Sequence, residues 1–396
     1  MKTLKLLLRT SFFILLGYLL FVSCRSIQED QVELIALEGS LSPIPSLANF
    51  VSSCELIELS DEVPLPNCSK VLLNDKDKTL IFLTNAGIFC YASDGSYIGK
   101  YGEIGRGPGE YLKIYDICFN SDGSNLLCLD HENNVMVYSC EDLSFIKKIS
   151  TSAKSLGLPN GTGIAPSKEG SFFIFVPNPR NYSDPNEQFN CLYEFNLSGE
   201  KIGEFIPRKD FNIDMTSLFP FFTQNGGSYF LRPQENENLL YELCDGEITP
   251  FAHVSFGSRN AKPLFCFKDG QDPWINMSDF LSGDFYKMPF NYFESDSFRT
   301  ISAFGPSQAV YTFILDKSSG KSISWNIGDN PVCSPLFFVG TENDYFYVLF
   351  DKFGLNKANV PDNSPDALLR YLLEDRSISL KETGNPILIK IKFKNF

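Results

Sequence analysis

Residues 87–102 read GIFCYASDGSYIGKYG, which is an apolar run, a short polar turn and a second run. This order is typical of a β-hairpin, whose two antiparallel strands are joined by a turn rich in Asp, Gly and Ser. The same pattern returns four times, as NVMVYSCEDLSFIKKIS (134–150), NCLYEFNLSGEKIGEF (190–205), NLLYELCDGEITPFAHV (238–254) and AVYTFILDKSSGKSISW (309–325). Because another strand precedes each hairpin, the repeat predicts one small antiparallel sheet per unit.

The spacing of these units indicates the fold class. Over the first four units, successive turns lie roughly 45–60 residues apart, which suits a four-stranded propeller blade. A last unit, formed by DYFYVLF (344–350) and PILIKIKFK (386–394), makes six. We therefore predict an all-β, six-bladed β-propeller, with a β-sandwich as the alternative. Closure of the sheets into a ring removes exposed edges, which favours the propeller.

Two further segments complete the predicted propeller. CELIEL (54–59) can supply a strand that joins the two ends of the ring. Residues 361–377 have a proline-flanked start and leucines at helical spacing. They predict one short helix inserted in the last blade.

A wide gap between the fourth and fifth hairpins holds an aromatic insertion, about residues 256–287. Trp274, Phe285 and Tyr286 within it could line a carbohydrate or peptide cleft. The alternative, which we favour, is that this insertion packs onto the propeller rim.

The N-terminus has the pattern of a signal peptide. Residues 1–23 begin with Lys and Arg, continue through an apolar run and end in a small residue next to Cys24. An uncleaved membrane anchor is the alternative. FVSC (21–24) resembles the lipobox of bacterial lipoproteins, in which Cys24 becomes the acylated first residue. We predict a signal peptide over 1–23, a flexible linker over 24–48 and the propeller over 49–396.

Charge and cysteine usage exclude several classes of function. The net charge of −14 becomes −17 when residues 1–23, with three positive and no negative charges, are removed. Such an acidic chain is a poor candidate for nucleic-acid binding. Of eleven cysteines, ten remain besides Cys24, and most lie in apolar strands. We favour buried thiols over a disulfide framework, and no closely spaced CxxC pair indicates a metal site.

The glycine-rich loop GEIGRGPGEY (102–111) is the most distinctive local motif. It lacks the Lys and Ser or Thr of a phosphate-binding loop, and the segment YLKIYDICF (111–119) resembles a strand. We interpret the loop as a connector between blades, in which Gly102, Gly105, Gly107 and Gly109 supply unusual backbone angles. The alternative is a binding site formed by Arg106, Glu110 and Tyr111, because Arg offers a fork for carboxylates and Tyr a stacking face. Under the structural interpretation, Arg106→Ala should lower thermal stability.

Several of these segments together resemble a known family. CELIELS, SDGSYIGKYG, GRGPGEY and IYDICF follow one another, and the chain ends in NPILIKIKFKNF. This arrangement resembles the Bacteroidetes six-bladed β-propeller lipoproteins, which are related to NHL-type propellers. RSIQEDQ (25–31) resembles the acidic tag that sends many of them to the cell surface. The resemblance implies the fold and an envelope location, and it brings no catalytic residues.

We therefore expect an outer-membrane lipoprotein, facing the cell surface rather than the periplasm, that acts as a binding module. The expected partners are the membrane, through the N-terminal lipid, and an unknown glycan, peptide or envelope protein. We expect a monomer with no cofactor, no metal and no catalytic residues. The alternative function is a hydrolase or lyase that acts on an envelope or dietary polysaccharide through paired carboxylates.

Overall fold

The computed structural model describes residues 32–38, 47–66, 68–74, 76–177, 189–208, 222–233, 238–260, 282–306, 309–328, 336–350 and 384–396. Five predictions fall outside these ranges: the signal peptide at 1–23, the acylated Cys24, the acidic segment 25–31, the aromatic Trp274 and the helix at 361–377. Among the described residues, no helix has the length and apolar character needed to cross a membrane.

The described residues form 27 strands and two short 3-10 turns, at Leu47–Phe50 and Gly257–Arg259. In chain order the strands are β1 (Glu33–Ala36), β2 (Val51–Glu58), β3 (Cys68–Asn74), β4 (Thr79–Thr84), β5 (Gly87–Ala92), β6 (Tyr97–Tyr101), β7 (Glu103–Ile104), β8 (Glu110–Tyr111), β9 (Ile114–Phe119), β10 (Asn125–Asp130), β11 (Asn134–Ser139), β12 (Phe145–Ser150), β13 (Gly163–Pro166), β14 (Ser171–Phe175), β15 (Phe189–Asn196), β16 (Lys201–Arg208), β17 (Phe222–Asn225), β18 (Ser228–Leu231), β19 (Leu239–Cys244), β20 (Glu247–Ser255), β21 (Lys287–Glu294), β22 (Phe298–Phe304), β23 (Val310–Asp316), β24 (Ser322–Gly328), β25 (Leu336–Glu342), β26 (Tyr345–Phe350) and β27 (Ile387–Phe393).

These strands build six antiparallel sheets arranged as a six-bladed β-propeller. The first sheet is β3–β6, the second β9–β12, the third β13–β16, the fourth β17–β20 and the fifth β21–β24. The sixth runs β25-β26-β27 and takes β2 as its outer strand. The first strands of the sheets contact one another in a closed ring, from β3 through β9, β13, β17 and β21 to β25 and back to β3. The predicted fold class is confirmed.

The ring closes through the N-terminal part of the chain, as predicted for CELIEL. Strand β2 pairs antiparallel with β27, and Cys54 lies opposite Ile391. The sixth sheet therefore combines residues separated by more than three hundred positions. Hydrogen bonds of this seam hold the ends of the propeller together, so the outer edge of the last sheet is covered.

A second N-terminal strand lies within the segment predicted as a linker. Strand β1 lies at the outer edge of the fourth sheet, next to β20. Ile35 and Leu37 are buried, and the Leu37 amide donates to the Ser255 carbonyl at 2.8 Å. Strand β1 thus lies within residues 24–48, the segment predicted as a linker. The alternating apolar pattern of only four residues was too short to predict this strand.

The core lies between neighbouring sheets, where the strands are apolar on both faces. The second and third sheets share one cluster, in which Phe172, Phe173 and Phe175 are fully buried. Cys90, Cys118 and Cys128 are buried free thiols in the first and second sheets, whereas Cys244 is exposed. Burial raises the pKa of the Cys90 thiol to about 11, so this thiol packs as a small apolar side chain.

Candidate ligand site at the axial mouth

The antiparallel sheets give the propeller two different faces. The inner strands of all six sheets end on the same side of the propeller, which we call the mouth face. On this face, the turns after β3, β9, β13 and β17 comprise residues 76–78, 120–124, 167–170 and 226–227. Each outer strand ends on the opposite side, which we call the crossover face, because the chain there passes to the next sheet. The glycine-rich loop 102–111 links β6 to β9 and therefore lies on the crossover face.

Tyr111, predicted as a possible binding residue, is buried at the base of this loop, with 5% of its surface exposed. Its hydroxyl donates to the Tyr101 carbonyl at 3.0 Å and accepts the Ile88 amide at 3.2 Å. Burial raises the pKa of the Tyr111 hydroxyl. Tyr111 thus ties the loop to the outer and third strands of the first sheet.

Glu110 is also used inside the loop. Its carboxylate accepts the Gly107 amide at 2.6 Å, and a Cβ on Gly105 would lie 2.0 Å from the same carboxylate. Arg106 is exposed, and among the described ion pairs none joins it to Glu110. In the described loop, the Glu110 carboxylate therefore pairs with the backbone of its own loop and not with Arg106.

Two of the four glycines adopt positive φ angles, Gly102 at 61° and Gly109 at 73°. Gly109 also meets a close neighbour, since a Cβ there would lie 2.8 Å from the Cβ of Phe145. Its carbonyl accepts the Tyr138 hydroxyl at 3.1 Å. The loop connects two sheets, and glycine is needed at positions 102 and 109 for backbone angle and space.

Of the aromatic insertion, only residues 256–260 and 282–287 are described. Tyr286 is buried and stacks on Phe256 at a ring distance of 5.1 Å. Phe285 packs partly buried against the core of the fifth and sixth sheets. Tyr286 thus belongs to the core and does not line a cleft.

A buried ion pair crosses the centre of the propeller. Lys70 on β3 donates to the Asp116 carboxylate on β9 at 2.7 Å, and both side chains are almost fully buried. The other carboxylate oxygen accepts the Ile164 amide on β13 at 2.9 Å. Burial raises the pKa of the Asp116 carboxyl, while Lys70 opposes that change. The pair ties three inner strands together.

The mouth face holds a pocket of about 230 Å³ at the ends of inner strands, which surround the propeller axis. Four of the six sheets contribute to its wall. We call it the axial mouth, and its lining residues are Leu73, Asn74, Lys76, Phe119–Gly123, Pro166, Ser167, Gln224, Gly226, Gly227, Tyr229, Leu243 and Asp245. Apolar side chains at the strand ends form the floor, and polar turn residues form the rim.

Several rim side chains are already used to shape their own turns. Asn74 accepts the Lys76 amide at 3.1 Å, and Asn120 accepts the Asn125 amide at 2.9 Å. Asp122 accepts the Ser124 amide at 2.8 Å. Such contacts between an Asn or Asp side chain and the backbone two or more residues later are ordinary turn chemistry. These groups alone do not identify a ligand site.

Two side chains of the axial mouth keep polar atoms that the fold does not use. Gln224 and Tyr229 lie opposite each other in the β17–β18 hairpin, so their side chains share one face. Within the described residues, the Gln224 carbonyl oxygen and the Tyr229 hydroxyl are buried without a hydrogen-bond partner. A buried polar group left unpaired costs about 1–3 kcal/mol.

The environment of Tyr229 is strongly apolar. Only 3% of its surface is exposed, and burial raises the pKa of its hydroxyl well above the ordinary value. The Phe119 amide approaches this hydroxyl and lowers its pKa slightly, but the two groups do not meet hydrogen-bond geometry. Tyr229 therefore stays neutral and able both to donate and to accept.

The double glycine 226–227 opens the mouth on one side. A Cβ on Gly227 would meet no heavy atom within 4 Å, and its φ is not positive. Neither packing nor backbone angle requires glycine here, in contrast to Gly109. Gly227 therefore lines the pocket with open space beside it.

Among the described residues, neither Asp122 nor Asp116 is suited to act as a general acid. Hydrogen bonds from Ser124 lower the pKa of Asp122, whereas a general acid needs a raised one. Burial raises the pKa of Asp116, but Lys70 occupies that carboxylate in the core. Within the described part of the chain, no three His, Cys, Asp or Glu side chains converge to hold a metal ion.

Sequence patterns did not single out the axial mouth. Its residues come from turns of four separate sheets, and each turn by itself has an ordinary Asn, Asp, Ser and Gly composition. One signal was present, the Gly-Gly pair 226–227 directly after an inner strand. It gains meaning only when the ring places that turn beside the axis.

Comparisons with known proteins define the family. The profile described as "Domain of unknown function (DUF4934)" matches residues 37–392, nearly the whole chain. The protein belongs to the DUF4934 family. A comparison with functionally curated proteins returned no match.

One solved structure shows the same fold for this DUF4934 chain, and two others are less similar. An exported protein from Bacteroides fragilis NCTC 9343 is 15% identical, with a TM-score of 0.66 over 91% of this chain and 100% of that one. The WD40 repeats of RRP9 give a TM-score of 0.42 at 8% identity, covering 87% and 99% of the two chains. The extracellular domain of a hybrid two-component system from B. thetaiotaomicron gives 0.34 at 13% identity, over 75% and 32%.

Proposed function

We propose that this protein is an exported lipoprotein of the bacterial envelope that binds its ligand at the axial mouth. The observation that carries the binding role is the pair of buried, unpaired oxygens of Gln224 and Tyr229 in a pocket of about 230 Å³. Ligand sites are concave, with an apolar wall and a few placed polar groups. A rigid six-sheet ring holds the turns that form this one.

The envelope location rests on different support. Residues 1–23 have the signal-peptide pattern, and Cys24 lies where a lipoprotein is acylated. The structural neighbour from Bacteroides fragilis is described as exported. The resemblance to surface lipoproteins with an NHL-type propeller adds the outer membrane and the surface-facing side. The chain then acts as a tethered monomer that presents its mouth face to a glycan, a peptide or an envelope protein.

The binding role is tested by closing the pocket. Gly227→Phe should fill the axial mouth without strain, because space is open at that position. A ligand-observed NMR screen with sugars, amino acids and short peptides should then find compounds that bind the wild type and not this variant. Lys147→Phe, on the exposed outer strand of the second sheet, is the matched control for added bulk. Binders that Gly227→Phe retains and Arg106→Ala loses would move the site to the crossover loop.

The anchor is tested separately in cells. Palmitate should label the wild type and not Cys24→Ser, and label that survives in the variant would overturn acylation at Cys24. Protease treatment of intact cells should digest the protein. Complete protection would contradict the surface-facing orientation.

A further inference from the structure

The chemistry of the axial mouth also points to a ligand class. We infer that the mouth takes a neutral, hydroxyl-rich ring, such as the terminal sugar of a glycan. This inference rests on the proposed function, because it describes the ligand of the same pocket. Charge, hydrogen-bonding capacity and shape each support it.

The charges at the rim select against anionic ligands. Lys76 is offset by Asp122 and Asp245, which lie on the same rim. Hydrogen bonds from Ser124 lower the pKa of Asp122, so its carboxylate is ionised at neutral pH. The chain as a whole carries a charge of −14, which repels anions as they approach. The two carboxylates outnumber Lys76, so the rim excludes anions. The uncharged Gln224 and Tyr229 in turn offer no counter-charge to a cation in the pocket, so a neutral ligand fits best.

The unused polar atoms match hydroxyl groups. The Gln224 carbonyl oxygen only accepts, while the Tyr229 hydroxyl can both donate and accept. A ligand hydroxyl can donate a hydrogen bond to the Gln224 carbonyl oxygen, and it can either donate to or accept from the Tyr229 hydroxyl. Neighbouring hydroxyls on one ring can satisfy both groups together, since the two side chains lie on the same face of their hairpin.

The floor and the volume fit one ring. Leu73, Phe119 and Leu243 give the pocket an apolar base, against which the C–H face of a sugar can pack. Pockets for drug-sized ligands span roughly 300–1,000 Å³, which exceeds the 230 Å³ found here. The site therefore accepts a single ring, or the end of a longer chain whose remainder lies outside.

Saturation-transfer NMR with a defined panel tests the inference. The panel is glucose, galactose, mannose, N-acetylglucosamine, glucosamine and glucuronate, offered to the intact mature protein. We expect at least one neutral sugar to give transfer signals and to bind at least about tenfold more tightly than glucuronate or glucosamine. Gly227→Phe should abolish these signals, and Lys147→Phe should keep them.

A second variant addresses the hydrogen bonds themselves. Gln224→Met keeps the length of the side chain and removes its amide, so it should weaken sugar binding about tenfold while the melting temperature stays near the wild-type value. Unchanged sugar binding in this variant would contradict the role given to the carbonyl oxygen. Because Met fills similar space, loss of binding would not come from a collapsed pocket.

The outcomes separate this inference from the proposed function. Preference for glucuronate, or a peptide ligand that Gly227→Phe abolishes, would overturn the neutral-sugar inference and leave the axial mouth as a binding site. Sugar binding that survives Gly227→Phe would overturn both, because the ligand would then bind elsewhere. No transfer signal from any sugar in the panel would overturn the ligand class.

Discussion

The glycine-rich loop 102–111 and the axial mouth both draw attention by their glycines, yet the structure uses them in opposite ways. In the loop, Gly109 has a positive φ and no room for a Cβ, and the Tyr111 hydroxyl is paired on both sides. In the mouth, Gly227 has open space, and the Tyr229 hydroxyl has no partner among the described residues. Buried polar groups that pair within the protein indicate a structural role, whereas buried polar groups without a partner indicate a place where a ligand binds.

The largest expected effect comes from forcing a side chain into the loop. Gly109→Ala places a Cβ against Phe145 and a non-glycine residue at a φ of 73°. We expect a loss of about 2–4 kcal/mol in the free energy of unfolding, from overpacking and left-handed strain together. Urea unfolding measures it, and Gly227→Ala is the matched control, expected within about 0.5 kcal/mol. Equal losses of unfolding free energy in Gly109→Ala and Gly227→Ala would contradict the different roles given to the two glycines.

Removal of one hydroxyl from the loop should have the next largest effect. Tyr111→Phe leaves the Ile88 amide and the Tyr101 carbonyl without their buried partner. We expect a destabilisation of about 1–3 kcal/mol. Tyr97→Phe is the control, because Tyr97 makes a ring contact with Tyr91 and no described hydrogen bond through its hydroxyl. A Tyr111→Phe protein as stable as the control would show that the hydrogen bonds of the Tyr111 hydroxyl do not stabilise the loop.

The contact between the first and last sheets, where Glu342 pairs with Lys78 and Lys390, predicts that the stability of the protein depends on pH. Hydrogen bonds from Lys390 and Lys78 lower the pKa of Glu342 from 4.5 to about 2. Because the pKa of Glu342 is lowered in the folded protein, the ionised carboxylate contributes fully to the free energy of unfolding above about pH 4.5. This contribution is lost as the pH falls towards 2. Allowing for solvent screening, we expect about 1 kcal/mol.

Glu342→Gln should remove that part of the acid sensitivity. The measurement is urea unfolding between pH 6 and pH 3, with Glu141→Gln, an exposed turn residue, as control. The wild type should lose stability relative to Glu342→Gln as the pH falls. A constant difference between the two proteins across this range would contradict the role of this contact.

Arg106→Ala should have the smallest effect. The sequence alone suggested a loss of thermal stability, but Arg106 is exposed and Glu110 is engaged by Gly107. We therefore expect a change within about 0.5 kcal/mol, measured by urea unfolding. A loss above about 1 kcal/mol would show that this side chain supports the loop after all.

The fold was predictable because its signals are local. Each hairpin, such as 87–102, is an apolar strand, a turn and a second strand within about sixteen residues. The pairing of β2 with β27 followed from the need to cover an edge. Strand β1 was missed because four residues carry too little pattern.

The candidate site was not predictable, because it depends on the ring. Gln224 and Asn120 lie about one hundred positions apart and meet only when the inner strands close around the axis. The burial of Tyr111 was equally hidden, since its partners Ile88 and Tyr101 belong to another sheet. Local composition made Tyr111 look available and Gln224 look ordinary, which is the reverse of what the structure shows.

Hydrogen exchange on the two regions, with and without the best-binding sugar of the panel, tests the central claim most directly. The account predicts slower amide exchange on binding in residues 119–123 and 224–228, and unchanged exchange in residues 102–111. Slower amide exchange in residues 102–111, with no change at the axial mouth, would contradict the account and would indicate that the glycine-rich loop is the ligand site.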